Sequence, residues 1–404
     1  MNVNIKYNMR VLRLRLSSSL MSEREPMKPA PSFRWSKDFA SGSISGAQLV
    51  PLDDPGFHLA VPIDTAYSTQ GREVFRPVNG LGAREVFSFW FDGSALEIDG
   101  QSHPNYGVML WVEGARVAED LIVESAPSNG NIRRQLRVDF DSRALRRVVV
   151  MPRHFGGTAG VFINPNTDSV IPYTPGLSTP MVALTDSYGG FGQWGFPHGG
   201  ASILLADALG FHFANLQHGG SGYETTNQGL NFLNRLQLFR EHTEHWPPSV
   251  LVVSGGINDP ANARTHAQIQ AFFAYCRHHL QQTLLIVHGP WCPRQSYLNG
   301  RDKYSLINQY IRNELANLGS PWWIYLNTLE GGWVTGWGAS APGNGPWITG
   351  TGTIANPKGD GNADVYIDAD GTHPTHEGQR NGVAYMARRT RREVLAALQT
   401  AQID

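Results

Sequence analysis

Cysteine is almost missing: the chain of 404 residues has two, too few for a disulfide scaffold or a cysteine-based zinc cluster. Charge is also scarce. Charged residues make up 17%, below the ~25% typical of soluble domains. Lys plus Arg (33) nearly balances Asp plus Glu (34), for a net charge of -1. That balance provides neither the basic footprint of a nucleic-acid binder nor a general attraction to anionic membranes. No run of ~18 apolar residues occurs, so no membrane-spanning helix is expected. With 41% hydrophobic residues, the low charge also argues against long disorder. Glycine (44), proline (25) and tryptophan (11) are plentiful, which suits many turns and aromatic surface to spare. At ~150 residues per domain the length suits two or three domains.

Residues 1–32 are expected to form a disordered or dispensable arm. Arg10, Arg13 and Arg15 interrupt Val11, Leu12, Leu14 and Leu16, whereas a secretory core is an unbroken apolar stretch. A transit-like peptide, or a start at Met21 or Met27, are the other readings, and the compartment stays open. Residues 33–175 read as an all-β sandwich or jelly roll. Val86 to Phe91 ends at Asp92-Gly93, Val108 to Val117 turns at Glu113-Gly114, and Leu136, Val138 and Phe140 alternate with polar residues. Such short strands, with turn signals every ~8–12 residues, are typical of sandwiches. The Pro-rich stretch 171–180 marks a boundary.

Residues 176–404 change to a strand–helix rhythm. Strands are expected at Met181–Leu184, Phe211–Leu216, Val250–Val253, Leu284–Val287 and Trp322–Leu326. Helices are expected at Gly200–Leu209, Ala261–Gln282, Tyr304–Leu318 and Glu377–Gln399. This alternation implies an α/β domain with a parallel sheet covered on both faces. The long Gly-rich stretch Glu330–Tyr366, with Trp333, Trp337 and Trp347, breaks the rhythm; loops of that length are usually functional or disordered. Gly350-Thr351-Gly352-Thr353-Ile354-Ala355 mimics a dinucleotide fingerprint, but Asn356-Pro357-Lys358-Gly359 cannot carry the helix that motif needs.

In open α/β sheets, ligands bind beyond the carboxyl ends of the strands. Four blocks stand there: Thr185-Asp186-Ser187-Tyr188, then Gly219-Gly220-Ser221-Gly222-Tyr223-Glu224-Thr225-Thr226, then Ser254-Gly255-Gly256-Ile257-Asn258-Asp259, and finally Asp370-Gly371-Thr372-His373-Pro374 before the last helix. A serine at a strand-to-helix turn can expose its hydroxyl and offer its own N–H to an oxyanion. An asparagine amide can donate to the same oxyanion. Asp370 and His373, three apart in an expected helical turn, would point the same way, so that the aspartate holds the imidazole tautomer.

In this order the blocks resemble those of the SGNH or GDSL hydrolase superfamily, over about Met181 to Leu398. Thr185 stands where the family has the first glycine of Gly-Asp-Ser. The resemblance implies a flavodoxin-like three-layer domain and an ester hydrolase, with an N-terminal β-sandwich as in several carbohydrate esterases. Catalytic residues would be Ser187, Asp370 and His373, and the oxyanion hole Ser187, Gly222 and Asn258. No metal or organic cofactor is implied. Asp186 reads as structural. The expected partner is an acylated carbohydrate or another small ester, acetyl being the preferred group, with Trp333, Trp337 and Trp347 as candidate sugar contacts. The alternatives are a lipase or thioesterase, an acyltransferase on longer chains, and an inactive glycan-binding module. Oligomeric state is open.

Overall fold

The computed structural model describes residues 30–36, 43–60, 63–69, 72–78, 86–102, 107–118, 122–123, 132–153, 157–172, 181–189, 213–243, 246–290, 294–318, 323–329, 350–375, 377–378 and 384–400. They fall into two compact units, one within Glu23–Asn79 and Ala83–Leu177, the other within Ser178–Asp404. The expected arm 1–32 except its last residues, most of the Pro-rich boundary, the expected helix at Gly200–Leu209, and Trp333, Trp337 and Trp347 all lie outside the described residues.

The first unit is one large antiparallel sheet. Its strands are β1 (Ser32–Ser36), β2 (Gln48–Pro51), β3 (His58–Leu59), β4 (Ile63–Thr69), β5 (Arg72–Pro77), β6 (Phe87–Ser102), β7 (Gly107–Val112), β8 (Ala115–Arg116), β9 (Ile122–Val123), β10 (Ile132–Arg153), β11 (Thr158–Ile163) and β12 (Ser169–Ile171). The main path runs β4-β5-β11-β6-β10-β7-β8. The long strands β6 and β10 pair along almost their whole length, with an irregularity between Asp139 and Ala144. Alternate residues on these strands bury Phe87, Phe89, Leu96, Ile98, Leu136, Val138 and Val148 in one core, as the two-residue period of a strand requires. Phe57 closes it edge-on, 5.5 Å from the Phe87 ring and 5.1 Å from Phe89.

The second unit is a five-stranded parallel sheet of β13 (Met181–Thr185), β14 (Phe213–Gln217), β15 (Val250–Ser254), β16 (Leu284–His288) and β17 (Trp323–Leu326), in the order β14-β13-β15-β16-β17. The three inner strands are buried at every position, which explains their continuous apolar runs. The helices are α1 (Phe232–His242), α2 (Ala263–His279), α3 (Arg294–Asn317), α4 (Ala363–Tyr366) and α5 (Ala384–Thr400). Helix α1 has no counterpart among the expected elements. Asn231 caps it by accepting from the Asn234 N–H, and it buries Phe232, Arg235, Leu236 and Phe239. An arginine in that stripe hides its amphipathic pattern. Helix α3 is already helical at Arg294, ahead of the expected Tyr304, and α5 is described from Ala384, with 379–383, between it and the helical residues 377–378, outside the described residues. In the Gly-rich stretch, α4 and a bridged turn at Thr353–Asn356 replace the expected absence of structure beyond residue 350.

Chain order reverses at β13, whose neighbours β14 and β15 lead away on opposite sides. At its carboxyl end Thr185 is level with Gln217 and Ser254. The first three blocks therefore leave the sheet side by side, at the crevice where such sheets bind ligands.

Candidate active site

The first block leaves β13 through Thr185 and Asp186, and Ser187 opens a single 3-10 turn, Ser187–Gly189. Asp186 is buried, and its Oδ1 accepts the Tyr188 N–H at 3.0 Å. Burial pushes its carboxyl up to about 7, against the pull of that hydrogen bond and of the Arg235 charge.

Ser187 meets the fourth block across the crevice. Ser187 Oγ lies 2.8 Å from His373 Nε2, and His373 Nδ1 lies 2.5 Å from Asp370 Oδ2. Asp370 and His373 do not share a helical turn as expected. They sit in a tight turn with Gly371 at φ +70°, where the other carboxylate oxygen, Oδ1, accepts the N–H groups of Thr372 and His373, each at 2.9 Å. An aspartate that binds its own backbone two and three residues on favours a turn over a helix. Burial raises the Asp370 pKa, but the hydrogen bonds from the His373 side chain and from the two N–H groups outweigh it and hold the carboxyl below the ordinary value. Tyr188 ties the two turns together: its hydroxyl donates to Thr372 O at 2.5 Å, and its ring lies 5.6 Å from that of His373. With an ionised carboxylate on Nδ1–H, Nε2 is free to accept the serine proton, which is the geometry that activates a serine nucleophile.

The third block turns at Gly256, φ +113°, a backbone setting that suits glycine. Asn258 Nδ2 donates to Ser221 O at 2.9 Å. The next residue, Asp259, has no role among the sequence expectations and organises the second block. Its Oδ2 accepts from Tyr223 N at 3.0 Å, and its Oδ1 from Glu224 N and Thr225 N, each at 2.9 Å. An aspartate following the Asn258 position was the available signal. Gly222 does not take the expected place. Its N–H donates to Thr225 O at 2.9 Å, and a Cβ there would meet the Asp259 carboxylate at 2.4 Å. Glycine is required at 222 for that close approach, and the N–H is already engaged. In the same loop a Cβ on Gly219 would lie 3.6 Å from Ser187 Cβ, so Gly219 packs against the serine. Arg235, reached from α1, is a further buried residue here that no sequence motif marks.

Among the described residues, no group of three or more His, Cys, Asp or Glu side chains could hold a metal ion, and no helix is long and apolar enough to cross a membrane. Cys276 is a free, buried cysteine whose thiol burial pushes well above its ordinary range; Cys292 lies outside the described residues.

No known family model matches the chain, and no curated protein is similar to it in sequence. Solved structures are similar in fold. The salicylyl-acyltransferase SsfX3 from a tetracycline biosynthetic pathway superposes with a TM-score of 0.59 at 14% identity, covering 89% of this chain and 100% of that one. A family two carbohydrate esterase from Cellvibrio japonicus gives 0.48 at 14% identity, over 87% and 99%. A lipase/acylhydrolase from Enterococcus faecalis gives 0.33 at 15% identity, over 52% and 94%. The chain thus shares the fold of SsfX3.

Proposed function

We propose that the chain is a serine esterase that removes acyl groups, preferentially acetyl, from a carbohydrate through an acyl-Ser187 intermediate. One observation carries this reading: His373 Nε2 lies 2.8 Å from Ser187 Oγ while Nδ1 faces Asp370 at 2.5 Å. In the mechanism, Ser187 attacks the ester carbonyl as His373 takes its proton. Asp370 stays ionised and holds the imidazole tautomer. The Ser187 N–H and the Asn258 amide bind the developing oxyanion. His373 then protonates the leaving alcohol, and water, deprotonated by His373, releases the acid. Gly222 serves the loop rather than the oxyanion, because its N–H is taken. No metal or organic cofactor takes part. The catalytic unit is read as a flavodoxin-like three-layer domain, its strand order 2-1-3-4-5 in chain terms being the one associated with that fold, and the other unit as a β-sandwich. The carbohydrate rests on the sequence resemblance and on the Trp-rich stretch 330–366.

Replacing Ser187 by Ala is expected to leave the fold intact and to cut turnover of 4-nitrophenyl acetate by about 10³-fold or more. Retention of a tenth of the wild-type rate would sink the assignment. Acetate release from a panel of acetylated polysaccharides then defines the substrate, and a preference for 4-nitrophenyl decanoate would favour a lipase. The shared fold of SsfX3 keeps an acyltransferase as the second reading. Added sugar alcohols that divert the acyl group from water to themselves would select it.

A further inference from the structure

We propose that Ser221 and Arg235 are positioning residues that set the Asn258 amide for the oxyanion, an inference that rests on the esterase reading above. Arg235 is completely buried. Its guanidinium donates to Leu216 O at 2.7 Å, to Thr185 O at 3.3 Å and to Ser221 Oγ at 2.5 Å. The two carbonyls lie at the carboxyl ends of β14 and β13, from which the second block and the nucleophile turn emerge. Ser221 is equally buried, and its hydroxyl donates to His218 O at 2.7 Å. The Ser221 carbonyl in turn accepts from Asn258 Nδ2 at 2.9 Å. One line of bonds therefore runs from the ends of two strands through Arg235 and Ser221 to Asn258.

A planar amide carries two hydrogens on one nitrogen. Once the Ser221 carbonyl holds one of them, the plane of the group is set and the direction of the other follows. Donors to an oxyanion act through such preorganisation, because a group already aimed needs no reorientation when charge develops. Stability alone does not explain a buried guanidinium here, since apolar side chains of similar volume commonly fill such places at no loss. Burial lowers the guanidinium pKa to about 10, so it remains charged at neutral pH and holds its acceptors as a cation.

Ser221→Ala tests the chain of bonds at its mildest point, keeping the backbone carbonyl and removing the hydroxyl that anchors it. With 4-nitrophenyl acetate, kcat is expected to fall about 10-fold with KM within about twofold. In an Asn258→Ala background the same change is expected to cost nothing further, because the group it orients is gone. Arg235→Lys, which keeps a buried cation, is expected to retain more activity than Arg235→Met. A second measurement does not depend on ester turnover: labelling of Ser187 by a fluorophosphonate, followed by intact mass, is expected to slow in Ser221→Ala, since the adduct places a tetrahedral oxygen in the same site. Unchanged kcat and labelling in Ser221→Ala, or a full additional loss in the Asn258→Ala background, would overturn the positioning role while leaving the esterase reading intact. Absence of labelling in the wild-type chain, or labelling that persists in Ser187→Ala, would overturn both.

Discussion

Two aspartates near the serine are driven in opposite directions. Asp370 accepts three hydrogen bonds and stays ionised, whereas Asp186 is sealed in and pushed up to about 7. For Asp186 the folded pKa lies above the ordinary 3.8, so between about pH 4 and pH 7 the folded chain keeps a proton that the unfolded chain has lost. Its contribution to stability therefore falls as pH rises through that window, by up to about 1.4 kcal/mol per unit. Asn keeps the oxygen that accepts from Tyr188 and does not titrate. The melting temperature of Asp186→Asn relative to wild type is therefore expected to be higher at about pH 8 than at about pH 5. The opposite trend by calorimetry would mean that Asp186 is ionised in the fold. At this scale the sequence was legible where chemistry stands at a strand end. Ser187, Asp370 and His373 could be found because each lies beside a strand or before a helix, and the structure brings them within hydrogen-bond distance. Gly222 was placed by its block alone, and a block does not say where an N–H points. Arg235 was not legible, because nothing in a local pattern separates a buried arginine from a solvated one.

At the scale of elements, the parallel strands were readable to within a residue or two because continuous burial demands continuous apolar runs. Helix α1 was missed for the opposite reason: its inward stripe includes Arg235, so its periodicity looks interrupted. Its boundary signal is Asn231, whose side chain accepts from Asn234 N at 2.9 Å and donates to Gln268 at 3.2 Å. Asn231→Ala is expected to lower stability by about 1 kcal/mol, a drop of about 2–4 °C in melting temperature for a unit of this size. No change on thermal unfolding would show that the cap is dispensable. The last block forms a turn rather than the expected helix, since a spacing of three suits both. Gly371, with its positive φ, and the two N–H bonds to Asp370 decide for the turn.

For the molecule as a whole, the sequence pattern implies a β-rich unit before a parallel α/β unit, and the described residues form one antiparallel sheet and one parallel sheet. The stretch Glu330–Tyr366 joins β17 to the turn that carries His373, so its far end is anchored at the carboxyl edge of the parallel sheet. If Trp333, Trp337 and Trp347 stack on sugar rings, Ala at these positions is expected to raise KM for an acetylated oligosaccharide about 10-fold and to leave 4-nitrophenyl acetate turnover unchanged. Equal losses on both substrates, with a lowered melting temperature, would show a packing role instead. The bond between Ser187 and His373 joins residues 186 positions apart, and this separation has a consequence in time. At ribosomal speed the histidine is made roughly 10–40 s after the serine. On the proposed esterase reading, the serine spends that interval without the histidine assigned as its base, so a growing chain, or one that stops short of His373, would carry the serine without the partner that activates it.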